Sequence, residues 1–287
     1  STPDTSGFRA GFFASSVAVF LGLIQYVAGL SHLPPDRLLG VEAAICRGSD
    51  DGAAGRPIAS SSTPPPPSLT KLMQQHRTRL LAILAVCMLT VGFWGVYEQQ
   101  GNTLPLFADQ EVEMHFFGAR VPTEFVQSIN PLFIIAFTPL LSSLWKWQAQ
   151  RDGEPGSLTK MGLGCLLLAC SYLNLTASAW LANLAGAKVG FFQLAASIAL
   201  ATVAELYLAP VGLAFVSKTA PEELTAFVMG IWFIASSIGF YLCGSLGTLY
   251  SSLPLTAFFG LMAAIAGVNG LAMLLARPYL RKQLLAP

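Results

Sequence analysis

Two glutamates, Glu98 and Glu205, stand inside apolar stretches that do not welcome an acid: FWGVYEQQGNTLPLF around the first and ATVAELYLAPVGL around the second. A charged side chain near the centre of a membrane-spanning helix costs roughly 2.5 to 3.5 kcal/mol on insertion scales, so each needs a compensating role. An acid kept for structure alone would pair with a basic residue, yet neither stretch contains a Lys or Arg. Either both carboxyls are protonated, or their cations come from a part of the protein outside this chain. The chemistry open to such a group is carriage of a proton or the holding of a substrate ammonium. Trp94 and Asn102 fall one helical turn either side of Glu98, and with Gln99 and Gln100 they predict a polar lining rather than a lipid-facing surface. Pro210 and Gly212 follow Glu205 by five and seven residues and are expected to weaken its helix. Interrupted helices at membrane depth are tolerated where they line a cavity. The alternative for Glu205 is a buried acid hydrogen-bonded to Ser197, Thr202 or backbone.

Three further groups of residues carry weaker signals. Gln127 and Asn130 precede Pro131, and an amide that both donates and accepts suits recognition of a peptide-like backbone, although Asn near a helix start also serves as a cap. Trp232 and Ser236 share a face of one apolar stretch, where the indole would wall a pocket or simply pack. Gly230, Gly239, Gly244 and Gly247 read as close helix packing rather than chemistry. The five cysteines are odd in number and four of them lie in apolar segments, so neither a disulfide framework nor a metal site is expected, and no cofactor is implied.

The elements that must position these groups follow from composition. The 287 residues are 54% hydrophobic and only 11% charged, against about 25% charged in soluble chains. With a formal net charge of +1 the chain has no basic field to hold nucleic acid. Seven stretches approach the length needed to span a bilayer: approximately 8 to 30, 80 to 106, 124 to 146, 158 to 182, 189 to 216, 225 to 249 and 254 to 276. Helices are predicted throughout, because no alternating pattern of a lipid-facing barrel is present. The first stretch is too long and lacks the basic start of a cleavable signal, and resembles a helix entered from the middle of a longer protein. Residues 31 to 79 (with PPDRLLG, RGSDDGAAGRP and SSSTPPPP) read as a flexible linker whose last residues, 69 to 79, form either a short amphipathic lead-in helix or a solvated basic stop. Residues 278 to 287 read as a tail. Thirteen of the sixteen Lys and Arg fall on one side of this topology, leaving Arg9, Arg120 and Lys188 on the other beside Asp109, Glu111 and Glu113. The positive-inside rule then places the N-terminus outside and the C-terminus in the cytoplasm.

Three blocks, FWGVYEQQGNTLPLFAD, FVQSINPLFIIAFTPLLSSLW and AELYLAPVGLAFVSKTAPEELTAFVMGIWFIASSIGFYLCG, together resemble the C-terminal half of a proton-dependent oligopeptide transporter, a branch of the major facilitator superfamily. The resemblance covers about residues 8 to 276 and implies an all-α membrane protein. In it the first span is similar to the family's sixth helix, and the stretch 80–277 to its C-terminal six-helix bundle. It implies proton-coupled symport of di- and tripeptides, not enzymatic chemistry. Glu98 matches the family's proton-coupling acid, Asn130 the amide that contacts peptide backbone, Glu205 the acid that receives the peptide's amino terminus, and Trp232, with Ser236 beside it, the pocket lining. The partners implied are a small peptide, protons, the lipid bilayer and a missing N-terminal transporter half. The family's ExxER signature occurs nowhere in the chain, and the extra helices of many bacterial relatives have no counterpart in 31–79.

Three other readings compete. One is a non-transporting half-bundle or interaction protein, and a second is a family relative carrying another small solute such as nitrate. The third is a seven-helix receptor or retinal protein, which the absence of a Lys in the last span disfavours.

Overall fold

The computed structural model describes residues 6–29, 69–116, 119–151 and 153–284. The chain divides into two units, Ser1–Pro65 and Pro66–Pro287. The described part of the first unit is a single helix, α1 (Ser6–Gly29). Apolar side chains such as Phe13, Val19 and Phe20 are exposed along it, the pattern of a helix whose solvent is lipid. The helix is 24 residues long and covers nearly all of the stretch 8–30 that the sequence marks as a span, with Ser15–Gly29 as its described apolar run. Most of the expected linker, 31–68, lies outside the described residues.

The second unit opens with a short helix, α2 (Leu69–Gln75), which covers the first part of 69–79 and stops at a turn at His76, so that Arg77 and Arg79 belong to the next helix. Six helical stretches are then long and apolar enough to cross a membrane: Arg77–Asn102, Phe125–Ala149, Ser157–Ala185, Phe191–Thr219, Glu222–Ser251 and Leu255–Gln283. The first of them is compound, with α3 (Arg77–Tyr97) followed by α4 (Gln99–Asn102) and, beyond Thr103, α5 (Leu104–Glu111). The others are α6 (Phe125–Ala149), α7 (Ser157–Ala185), α8 (Phe191–Thr219), α9 (Thr225–Gly247) and α10 (Leu255–Leu284). Residues 278 to 284, expected as tail, continue α10 through Pro278, with Arg281 and Lys282 in the last turn where cations complement the helix dipole.

Packing is organised by pairs. α10 lies along α7, α7 along α8, and α9 along α3, which also touches α10. The α3–α9 crossing depends on a missing side chain, because a Cβ at Gly239 would lie 2.5 Å from Trp94 Cβ and 3.0 Å from the Val91 carbonyl. Gly230 and Gly244, expected to act alike, face open space. α7 ends at Gly186, whose φ of 59° lets Ala187 N–H reach the Ala182 carbonyl at 3.0 Å and close the last turn. At the end of the bundle away from most of the basic residues, two connections are joined by a short parallel pairing of β1 (Val112–Glu113) with β4 (Val189–Gly190). Beside it β2 (His115–Phe116) and β3 (Ala119–Arg120) form an antiparallel pair.

Candidate functional site

The compound first span has its break at Glu98. The residue caps α3 and starts α4 with near-helical dihedrals (φ −67°, ψ −7°) and its N–H still reaching the Trp94 carbonyl at 3.0 Å, so the break is one loosened residue; Thr103 then separates α4 from α5, whose first turn accommodates Pro105. Tyr172 of α7 donates from its hydroxyl to the Val96 carbonyl at 2.9 Å, at the last turn before the break. α8, by contrast, runs unbroken through Pro210 from Phe191 to Thr219. The irregularity expected after Glu205 is therefore found beside Glu98. A proline inside a spanning helix removes one donor, and neighbouring helices absorb that loss.

The break presents adjacent side chains to different neighbours. Gln99 is buried and turns toward α9, donating to the Cys243 carbonyl at 2.8 Å and accepting from the Thr103 hydroxyl at 3.0 Å. Asn102 follows it, with its amide 3.4 Å from the same Cys243 carbonyl, so both hold α4 to α9 rather than lining the depression beside Glu98. Tyr97 points the other way. Its ring is stacked on Phe93 with centroids 5.6 Å apart and is met edge-on by Trp94 at 5.8 Å, which fixes where the hydroxyl sits.

From that hydroxyl a hydrogen-bonded chain runs through three helices. Thr202 Oγ1 of α8 is placed to donate its one proton to Asn130 Oδ1 of α6 at 2.6 Å, with the Ile198 carbonyl at 2.8 Å as the alternative acceptor. Asn130 Nδ2 donates to the Tyr97 hydroxyl oxygen at 3.0 Å, and Tyr97 donates to Glu205 Oε2 of α8. Every donor in this chain points toward the Glu205 carboxylate. Glu205 is three residues beyond Thr202, so both ends of the chain leave the same face of α8. Ser197, the other partner considered for Glu205, instead accepts from Asn174 Nδ2 at 2.8 Å and donates to the Gln193 carbonyl.

A depression of about 290 Å³ opens on this chain, lined by Tyr97, Glu98, Gln100, Gln127, Asn130 and Glu205, with Leu104, Val126 and Ile198 as its apolar walls. Glu98 and Glu205 both line it, and among the described residues no Lys or Arg does. Gln100 Nε2 is buried there without an acceptor among the described residues. Glu98, Asn130 and Glu205 are thus brought together. Trp232 and Ser236 are not: the Trp232 ring packs against Gly212, close to Met161, in the apolar core, and Ser236 Oγ donates to the Trp232 carbonyl at 3.1 Å. Tyr97 was missed in the sequence, although a hydroxyl in an apolar run, one residue before an acid and one turn after two aromatics, must find a partner.

Residues 59–264 match the model of the POT family. That match covers well over half of the chain. The chain belongs to the POT family. Among its relatives, the peptide transporter YePEPT of Yersinia enterocolitica is 35% identical over 181 residues, which are 63% of this chain and 35% of that protein. The dipeptide and tripeptide permease A of Proteus mirabilis is 30% identical over 217 residues, 72% of this chain and 44% of that protein. The chain therefore spans less than half the length of these POT relatives. A crystal structure of the peptide transporter POT in complex with sulfate matches the fold with a TM-score of 0.67 at 23% identity, over 99% of this chain and 55% of that one. These matches agree with an all-α, multi-pass membrane protein of transporter type, as the resemblance of its three sequence blocks implied.

Proposed function

We propose that the chain forms the C-terminal part of a proton-coupled symporter of di- and tripeptides, working opposite an N-terminal six-helix bundle. The observation that carries this reading is the depression in which Glu98 and Glu205 meet the hydrogen-bonded chain through Asn130 and Tyr97 with no cation among its lining residues. Two carboxylates and an amide offer a zwitterion a site for its ammonium and for its backbone, and leave its carboxylate to be met by basic groups on the opposite bundle. Glu205 is the ammonium partner in this scheme. Tyr97 occupies one of its oxygens when no substrate is present, and Asn130 reads the peptide backbone. Glu98 sits at a helix break, half-buried and free of a local ion pair among the described residues, and takes up the coupled proton as access alternates between the two sides. The relatives described above, a peptide transporter and a dipeptide and tripeptide permease, favour this substrate class over nitrate.

The test is transport in proteoliposomes holding this chain together with its N-terminal bundle. Glu98→Gln is expected to abolish accumulation driven by a proton gradient while substrate exchange across the membrane continues. Uphill uptake at the unmutated rate would remove Glu98 from the coupling step, and absence of dipeptide binding by the unmutated protein would overturn the substrate assignment.

A further inference from the structure

At the opposite end of the bundle from the strand pairings, a second concavity of about 590 Å³ carries the reverse charge. Arg79 of α3, Lys218 of α8 and Arg277 and Arg281 of α10 converge on it from three helices. Among the described residues the one acid in its lining is Glu154, which is already engaged: its Oε1 accepts from Lys160 Nζ at 2.5 Å, and that ammonium also lies 4.0 Å from the centroid of the Trp145 ring. None of the four lining cations is in an ion pair among the described residues. Arg79 Nε is buried without an acceptor among the described residues. The floor is the start of α7, a 29-residue helix with no side chain capping its first amides and no acid in its first turn. Such a terminus adds its own positive potential to that of the four side chains.

The cavity does not stand alone. It shares Ser157, Phe215, Lys218 and Thr219 with an adjoining groove that continues along Pro210, Val211 and Ala214 of α8. A concave cluster of cations that runs into an apolar track matches a molecule with a phosphate at one end and hydrocarbon at the other. We infer that this cavity binds the phosphate group of an anionic phospholipid, with the acyl chain lying along the α8 groove. Arg277 and Arg281, one turn apart on α10, give the phosphate oxygens their principal charge-assisted hydrogen bonds.

Native mass spectrometry of the 287-residue chain released from nanodiscs of phosphatidylcholine with a minor share of phosphatidylglycerol reads the site directly. The unmutated chain should retain phosphatidylglycerol in preference to phosphatidylcholine, and Arg277→Gln/Arg281→Gln should lose about thirtyfold of that retention, as removal of two interfacial cations implies. Arg277→Lys/Arg281→Lys should keep most of it, and Lys188→Gln, at the other end of the bundle, should keep all. If the double Gln variant does not fold, Lys218→Gln, a change at an exposed side chain, should still cost about fivefold. Equal retention of the two lipids by the unmutated chain with no measurable binding of inorganic phosphate, or undiminished phosphatidylglycerol on the Gln variants, overturns the proposal. Titration of the detergent-solubilised chain with inorganic phosphate distinguishes the source: binding that disappears in the Gln variant, without a lipid preference, retains the phosphate site and assigns it to a soluble ligand.

Discussion

At the scale of single residues, Tyr97 is the pivot of the candidate site, because one hydroxyl accepts from Asn130 and donates to Glu205 and so joins α6, α3 and α8. Hydrogen bonds to charged groups contribute about 1.5 to 3 kcal/mol in soluble proteins, whereas side-chain pairs inside membranes average about 0.6 kcal/mol and reach about 1.7. A carboxylate acceptor and a ring held by two aromatic neighbours place this pair toward the upper end of the membrane range. Tyr97→Phe and Glu205→Gln should therefore each destabilise the bundle, and together should cost less than their sum, with a coupling of about 1 kcal/mol. Denaturant unfolding of the two single variants and the double variant in mixed micelles measures that coupling, and a value near zero would mean that the bond contributes nothing. The two acids were legible in the sequence because an acid in an apolar run has few bland explanations. Tyr97 was not, since tyrosine is at home in such runs and only the fold reveals that its hydroxyl meets Glu205 rather than a lipid headgroup. Trp232 shows the converse: an indole on a helical face gives no sign of whether it meets a cavity or, as here, a glycine on the next helix.

At the scale of elements, the six long helices were legible because each needs a near-continuous apolar run, and hydropathy reports that directly. The position of the interruption was not. Pro210 is the stronger breaker by residue type, yet α8 passes through it, while the first span breaks at Glu98, where no proline stands. What fixes the broken segment is tertiary: Gln99 and Asn102 bond the Cys243 carbonyl, and one turn earlier Trp94 rests against Gly239. The close α3–α9 crossing thus sets the position of Glu98. A leucine at Gly239 has no room beside Trp94 and should force the two helices apart, destabilising the bundle by about 1 to 3 kcal/mol. Gly230→Leu on the same helix faces open space and should change stability by less than about 0.5 kcal/mol. Thermal unfolding of both variants in detergent compares them, and equal losses would mean that side-chain size along α9, rather than this crossing, governs stability.

At the scale of the whole molecule, the uneven distribution of charge and of burial bear on how the bundle is oriented and on what covers it. α6 is the least enclosed of the long helices, with only Val126 fully buried and Phe125, Leu132, Ile135, Leu140 and Trp147 exposed, although the helix carries Asn130 into the site. A helix that is apolar outward and polar at one inward position fits a bundle covered partly by lipid and partly by another bundle. The ends of the helices differ in sign. One gathers Arg79, Lys218, Arg277 and Arg281, whereas the other holds Asp109, Glu111 and Glu113, with Lys188 donating to the Gln110 carbonyl at 2.9 Å. By the positive-inside rule the first end is expected to face the cytoplasm, because Lys and Arg in short loops resist translocation while Asp and Glu contribute little. His115, in the β2–β3 pairing, and Gln150, at the end of α6, are exposed markers of the two ends. In intact cells His115→Cys should react with a membrane-impermeant maleimide added outside, and Gln150→Cys should react only after the membrane is permeabilised. The opposite pattern would invert the bundle, put the four clustered cations on the outer face and turn the phosphate-binding cavity toward the outer leaflet.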